Sequence, residues 1–155
     1  MSQEQFNRAV TSITERIAGR PLDAKLEVYL HEQFPPDGDA FTLLSGLCRE
    51  GTSEGWLCNR EHGGIKFGRI IKASPETHGF SVDVVEMDEI VGPHHRHPRG
   101  EIDMILPETR GAEFDGHGKG WLVYGPNSAH SPTVTNGRAI VLYLLPEGEI
   151  EFTGT

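Results

Sequence analysis

Apolar residues recur at helical spacing through the first third of the chain. Over residues 3–19 they fall three or four positions apart on one face, and a glycine then offers a stop. The pattern repeats over residues 22–34, after Pro21 as a favourable first helical residue, until two prolines end it. Asp39 is placed to cap a third apolar stripe that closes near Gly51. The chain therefore begins with three predicted amphipathic helices.

After Trp56 the period changes to short runs rich in Val, Ile and aromatic residues, separated by Gly, Pro, Asn and Asp. The predicted strands cover residues 57–60, 67–72, 80–87, 101–106, 120–124 and 138–145. Their number and spacing predict a mainly β fold, an antiparallel β-sandwich or barrel preceded by the three helices.

The run from Ala139 to Leu145 is apolar on both faces of its predicted strand. Such a strand needs cover on both sides. The N-terminal helices or a second subunit could supply that cover, and we expect a homodimer.

The composition sets outer limits on size and partners. With 155 residues we expect a single domain, 1–155, made of a helical segment, 1–52, packed on a β-barrel segment, 53–155. A net charge of −9 and the lack of a basic stripe with interleaved aromatics argue against nucleic acid. A small molecule is the expected partner.

The location is predicted from what the sequence does not contain. We see neither an apolar run of transmembrane length nor a signal peptide, since the chain starts with polar residues, so no membrane contact and a cytoplasmic location are expected. Cys48 and Cys58 are then expected to be reduced.

Candidate metal ligands are concentrated between Gly92 and Glu101, in the stretch Gly-Pro-His-His-Arg-His-Pro-Arg-Gly-Glu. Side chains alternate between the faces of a strand, so His95 and His97 point the same way. Glu101 joins them if the strand resumes after a kink at residues 98–100. Two imidazoles and a carboxylate suit a divalent transition metal, and a fourth ligand would complete the site.

A second block, residues 120–130, reads as a strand that ends in a tight turn with a histidine just beyond it. Asn127 stands in the turn, where a residue that tolerates left-handed backbone is needed. A wet surface loop that happens to carry histidines is the competing interpretation of the first stretch, but an antiparallel barrel brings the second block opposite it. The predicted ligands are His95, His97, Glu101 and His130.

Two more residues near the first stretch are candidates for acid–base chemistry. Asp103 shares the face of Glu101 on a regular strand and could orient a ligand histidine or act as a general base. A solvated edge carboxylate is the alternative. His94 would point to the opposite face of the strand from His95, and it is either a substrate contact or a loop histidine.

Two arginines are candidates to bind an anionic substrate through paired hydrogen bonds. Arg60 ends a predicted strand beside a glycine-rich bend, and Arg99 lies two residues before Glu101. Either could instead be a solvated surface charge. Trp121 and Tyr124 could form an aromatic wall, with core packing as the stronger interpretation of Trp121.

The two histidine blocks resemble the motifs of the cupin superfamily. The first cupin motif supplies His-x-His and then Glu, and the second supplies a final His after a turn. The resemblance implies a jelly-roll barrel and a metal bound by the four predicted ligands. This sequence departs from the pattern at Glu89 and Glu108, where the family has glycine.

A longer series of segments resembles the bacterial 4-hydroxylaminobenzoate lyases of nitroaromatic degradation. The segments are residues 17–23, 54–60, 78–85, 92–95, 100–103, 120–126 and 142–148. The resemblance implies conversion of 4-hydroxylaminobenzoate and water to 3,4-dihydroxybenzoate (protocatechuate) and ammonia. We expect a divalent transition metal (Fe, Mn, Zn or Ni) as cofactor and no organic cofactor.

Two other classes of protein are compatible with such a site, because fold does not determine function. One is a metal-dependent cupin dioxygenase that acts on an aromatic substrate, and the other is a non-catalytic cupin that binds a small molecule. The complete ligand set and the acidic groups beside it favour an enzyme.

Overall fold

Three helices form the N-terminal part of the computed structural model, which describes residues 2–153. They are α1 (Ser2–Ile17), α2 (Ala24–Gln33) and α3 (Asp39–Glu54). Their apolar stripes are buried, as the spacing predicts. None of the helices in these residues is long and apolar enough to cross a membrane. Residues 1, 154 and 155 of the predicted domain lie outside the described part of the chain.

The starts of two helices differ from the prediction. α2 begins at Ala24, three residues after Pro21, because Asp23 is its N-cap and accepts a first-turn backbone hydrogen bond at 3.0 Å. α3 includes Asp39 as its first residue, and Gly38 is its N-cap without a side-chain hydrogen bond. A capping aspartate was thus predicted for the wrong one of these two helices.

Ten strands follow within the described residues and form two antiparallel sheets. They are β1 (Arg60–His62), β2 (Ile65–Ile71), β3 (Phe80–Val91), β4 (His95–His97), β5 (Glu101–Pro107), β6 (Glu113–Phe114), β7 (Gly120–Tyr124), β8 (Ser128–His130), β9 (Thr133–Pro146) and β10 (Glu151–Phe152). The large sheet has the order β1-β2-β3-β9-β5-β7, with β6 also on β9, and the small sheet has the order β10-β4-β8. The predicted mainly β architecture behind three helices is confirmed.

The first predicted strand, residues 57–60, is wrong in position. β1 begins only at Arg60, and Leu57 and Cys58 are buried in the connection from α3. Leu57 lies so close to Gly51 that a Cβ at this glycine would approach the Leu57 Cδ1 to 2.6 Å. The apolar character of this run therefore reflects a loop packed on a helix and not a strand.

β9 is buried on both faces by other parts of the same chain. Ile140, Leu142 and Leu144 pack in a cluster with the apolar stripes of the helices. Val141 and Tyr143 point to the opposite side, into the space between the two sheets. Because the helices supply the second cover, the homodimer stays a prediction with no support from this strand.

Both cysteines are buried free thiols, as expected. Cys58 is held against the Val84 carbonyl oxygen, with an Sγ–O distance of 3.5 Å. Burial raises the pKa of the Cys58 thiol to about 11. These are the properties of packing residues and not of a reactive nucleophile.

Candidate metal centre

The first histidine stretch forms β4, whose side chains alternate between the two faces of the small sheet. His95 and His97 point into the space between the sheets and are 2% and 0% exposed. Arg96, between them, points outward and is half-buried. The parity predicted from the sequence thus places the two imidazoles side by side, with ring centroids 4.7 Å apart.

A turn at residues 98–100 places the carboxylate of Glu101 next to the two imidazoles. β4 ends before this turn and β5 begins directly after it at Glu101, which is fully buried. Gly100 has a φ of 91°, and a Cβ at this position would lie 2.6 Å from the Tyr124 backbone oxygen. The predicted kink is confirmed, and it requires glycine for both conformation and space.

β8 brings the fourth predicted ligand to the other side of β4. His130 is the cross-strand partner of His95, and their Nε2 atoms are 3.2 Å apart. The turn before β8 contains Asn127 at a φ of 67°, the left-handed conformation expected for it. A turn residue and strand pairing therefore decide where this histidine lies.

The four predicted ligands form one compact cluster, in which three side chains are buried and His130 is half-buried. One ligand atom from each of them lies within 4.8 Å of the others. A single oxygen of Glu101, Oε1, is 3.0 Å from His97 Nε2 and 3.5 Å from His95 Nε2. The other oxygen, Oε2, is 3.7 Å from His130 Nε2.

The hydrogen-bond partners of His95 and His97 determine which ring nitrogen carries the proton. The Nδ1 of His95 faces the Pro93 carbonyl oxygen at 3.2 Å, and a carbonyl can only accept. The Nδ1 of His97 faces the Ser128 hydroxyl at 2.9 Å. Since that hydroxyl donates its own proton to the Gly125 oxygen at 2.6 Å, it accepts from His97. Both rings therefore donate through Nδ1, which leaves Nε2 as the nitrogen available to bind a metal.

The Nδ1 of His130 also has a hydrogen-bond acceptor, which is the carboxylate of Asp115. Its Nδ1 donates to Asp115 Oδ2 at 2.5 Å, and the Tyr124 hydroxyl donates to the same oxygen at 2.5 Å. The other oxygen, Oδ1, accepts from the Thr133 backbone N–H at 2.9 Å. Burial raises the pKa of Asp115, but the hydrogen bonds from these three groups lower it overall, so Asp115 is an anionic acceptor.

Three imidazole Nε2 atoms and a carboxylate therefore converge on one point. Among the described residues, both oxygens of Glu101 and the Nε2 of His97 are buried without a hydrogen-bond partner. Buried acceptors that face one another repel unless a cation lies between them. The donor set of three nitrogens and one oxygen fits a divalent transition metal.

Asp115 was not found by sequence reasoning. It stands fifteen positions before His130 in the chain, after the two-residue strand β6, and has a φ of 51°. The one signal in the sequence is the Asp-Gly pair of a tight turn, which indicates a turn and no chemistry. Its place behind the candidate ligand His130 is a consequence of tertiary structure alone.

Asp103 lies on the inner face of β5, as predicted, beside Glu101. It is 0% exposed, and within the described residues neither of its carboxyl oxygens has a hydrogen-bond partner. Burial first, and then the adjacent charge of Glu101, raise its pKa well above the usual range. The alternative of a solvated edge carboxylate is wrong.

A cavity of about 830 Å³ opens beside the cluster. His95 lies in its wall, together with apolar side chains from β2 and β3 and from the C-terminal segment. Arg60 also lines this cavity, so one of the two predicted arginines faces the same space as a predicted metal ligand.

Two other predicted substrate contacts lie outside the cavity wall. His94 is exposed, and its ring pairs with the Thr153 hydroxyl. Arg99 is also exposed and pairs with Glu149, with an Nε–Oε2 distance of 2.8 Å. The structure therefore does not bring these two residues together with the four ligands.

The two predicted aromatic wall residues lie on opposite faces of β7. Trp121 is 3% exposed, donates to the Phe34 carbonyl oxygen at 2.9 Å and packs under the helices, so core packing is correct for it. Tyr124 lies on the side of the metal centre, with its ring centroid 4.5 Å from that of His130. Only Tyr124 can contribute to the site.

Sequence comparison finds relatives of this chain along nearly its whole length. The family model described as "PnbB: 4-hydroxylaminobenzoate lyase" matches residues 8–152. A 4-hydroxylaminobenzoate lyase from Nocardioides sp. (strain LMS-CY) is 32% identical over 97% of this chain and 94% of its own length. Another from Pseudomonas putida is 32% identical over 88% of each chain.

Solved structures with some likeness include an RmlC-like cupin protein from Ralstonia eutropha, with a TM-score of 0.40 and 14% identity over 58% of this chain and 57% of that one. The polyketide cyclase RemF from Streptomyces resistomycificus has a TM-score of 0.44 and 11% identity, over 60% of this chain and 73% of its own. The match to the family model over residues 8–152 and the two lyase relatives show that this chain belongs to the 4-hydroxylaminobenzoate lyase family.

Proposed function

We propose that this protein converts 4-hydroxylaminobenzoate and water to 3,4-dihydroxybenzoate and ammonia. The observation that carries the proposal is the convergence of four candidate ligand atoms beside a cavity large enough for an aromatic acid. Membership of the lyase family supports the substrate class. The atoms of the substrate and one water equal those of the two products, so the reaction needs neither an oxidant nor a reductant.

A divalent metal bound by His95, His97, Glu101 and His130 would supply Lewis-acid chemistry that polarises the N–O bond of the hydroxylamino group. The residues of the chain hold the reactants. Phe67, Val85 and Ile150 line the cavity with apolar surface that can accommodate a ring. Asp103 is a neighbour of Glu101 and not part of the cavity wall, so we assign it to positioning that ligand rather than to contact with substrate.

The cavity also has the charge that a carboxylate substrate requires. The protein carries a net charge of −9, so an anion needs local cations to bind. Arg69 lines the cavity but is already paired with Asp83 through two hydrogen bonds of 2.8 and 3.1 Å. Within residues 2–153, Arg60 and Lys72 have no ion-pair partner. We assign binding of the substrate carboxylate to Arg60, because a planar guanidinium can donate two parallel hydrogen bonds to the two oxygens of a carboxylate.

Replacing Arg60 with alanine is expected to raise KM about tenfold and to change kcat little, because the lost contact is to a group that does not react. Arg60→Lys should have an intermediate effect. Arg99→Ala is the matched control, since that arginine is exposed and pairs with Glu149 outside the cavity. Steady-state kinetics that show equal effects for the two alanine variants would contradict this assignment.

The reaction itself is tested by anaerobic incubation of metal-loaded protein with 4-hydroxylaminobenzoate. Ammonia and 3,4-dihydroxybenzoate are quantified together. We expect equal yields of both, and the loss of both after chelation of the metal. Substrate loss that depends on oxygen would indicate a dioxygenase instead, and binding without any product would indicate a non-catalytic protein; either result would refute the proposed reaction.

A further inference from the structure

The C-terminal segment lines the cavity and lies beside the candidate metal ligand His95. β10 pairs with β4 so that Phe152 is opposite His95 and Glu151 is opposite Arg96. Cross-strand partners in an antiparallel pair have their side chains on the same face. Phe152 therefore shares the inner face with His95, at a ring-centroid distance of 5.8 Å, and Glu151 is on the outer face.

The outer face of this strand pair holds the segment in place. Arg96 Nε is 3.1 Å from Glu151 Oε1. The same guanidinium donates through Nη1 to Asn127 Oδ1 at 2.6 Å, in the turn that precedes His130. A single outward arginine thus contacts both the C-terminal strand and the turn behind the fourth ligand. Backbone pairing adds a hydrogen bond from Thr153 N to the His94 oxygen at 3.2 Å.

Phe152 is nonetheless 63% exposed, although it lines the cavity next to His95. Ile150, two residues earlier on the same side, lines the cavity as well and packs against the inner apolar cluster. An aromatic side chain in this position exposes apolar surface that a bound ring would cover.

We infer that Phe152 is a specificity-determining residue that forms the wall against which the aromatic ring of the substrate packs. The identity of the substrate rests on the proposed function, but Phe152 would contact the ring of any aromatic acid that binds in the cavity. Arg60 lines the same cavity and would bind the carboxylate, while Phe152 contacts the ring beside the metal ligand His95. An aromatic ring packs on an aromatic side chain more favourably than a saturated ring of similar size does, because aromatic pairs gain energy beyond the area they bury.

The test uses two simple carboxylates, benzoate and cyclohexanecarboxylate, titrated calorimetrically into metal-loaded full-length protein. We expect the wild type to bind benzoate more tightly. Phe152→Ala should weaken benzoate binding about tenfold and remove the preference over cyclohexanecarboxylate, whereas Phe152→Tyr should keep both. Metal content, measured on the same samples, should be unchanged, since Phe152 offers no ligand atom.

Val91→Ala is the matched control, because Val91 is 62% exposed and does not line the cavity. It should leave both affinities within about twofold of the wild type. An alanine variant at 152 with unaltered benzoate affinity would overturn the inference, as would a wild type that binds neither acid. The same holds if Phe152→Ala changes the oligomeric state in size-exclusion chromatography but not the affinity, since the ring would then be a subunit contact.

The outcomes separate this inference from the proposed reaction. Wild-type protein that binds benzoate through Phe152 but releases no ammonia from 4-hydroxylaminobenzoate would leave the aromatic wall established and the reaction refuted. Ammonia release whose kcat/KM is unchanged by Phe152→Ala would establish the reaction and refute the wall.

Discussion

Replacing His97 with alanine is expected to abolish metal binding and turnover together. His97 is fully buried, and its Nε2 is 3.0 Å from the carboxylate oxygen that also faces His95. Its removal takes one of four donors from the cluster and leaves the Glu101 carboxylate buried with less compensation. Mutation of a residue that only hydrogen-bonds to a metal ligand lowers metal affinity roughly 10- to 100-fold. The loss of affinity in His97→Ala should be larger, because a ligand itself is removed. Equilibrium dialysis with metal analysis, and ammonia release, measure the two effects.

His94→Ala is the control for this variant, because it removes a neighbouring histidine that is exposed and paired with Thr153. It should retain the metal. Circular dichroism and thermal unfolding of both variants show whether the barrel has formed. A folded His97→Ala protein with unchanged metal content and turnover would refute the metal centre described above.

Replacing Asp115 with alanine is expected to lower metal affinity about 10- to 100-fold while the four ligands remain in place. The Nδ1–H of His130 would lose its acceptor at 2.5 Å, so the ring would no longer be held in the tautomer and orientation that present Nε2 to the cluster. Turnover should therefore fall at limiting metal and recover as metal is raised. A metal titration followed by turnover at each concentration measures both the loss and the recovery.

Tyr124→Phe is the matched control for Asp115→Ala. It removes the second hydrogen bond to Asp115 Oδ2 but keeps the bond from His130. Its effect on metal affinity should be smaller than that of the alanine variant. Asp115→Asn, which keeps an acceptor oxygen without the charge, should fall between the wild type and the alanine variant. Wild-type metal affinity in folded Asp115→Ala would show that His130 does not depend on this carboxylate.

The clustering of the four candidate ligands could be predicted because it depends on local rules. His95 and His97 share a face through strand alternation, and a glycine between them and Glu101 allows the turn that aligns the carboxylate. The turn at Asn127 was equally local. Each of these features requires only a few consecutive residues, and the barrel then brings the two blocks together.

Other residues could not be placed in the same way. Arg60 and Arg99 look alike in the sequence, yet one lines the cavity and the other pairs with Glu149 on the surface. Leu57 has the pattern of a strand residue but packs against the end of a helix. In each case the outcome depends on contacts with residues that are distant in the chain.

By itself the sequence determined the class of the fold, through the change from helical to strand periodicity after Trp56. Strand alternation and turn chemistry also indicated which four side chains, the candidate metal ligands, would lie together. Only the tertiary structure decided what surrounds them. Asp115 lies behind His130 although the two are 15 residues apart in the chain. Phe152 lies beside His95 although those two are 57 residues apart. Hydrogen bonds and packing of this kind depend on how strands pair across two sheets, and no periodicity along the chain records that pairing.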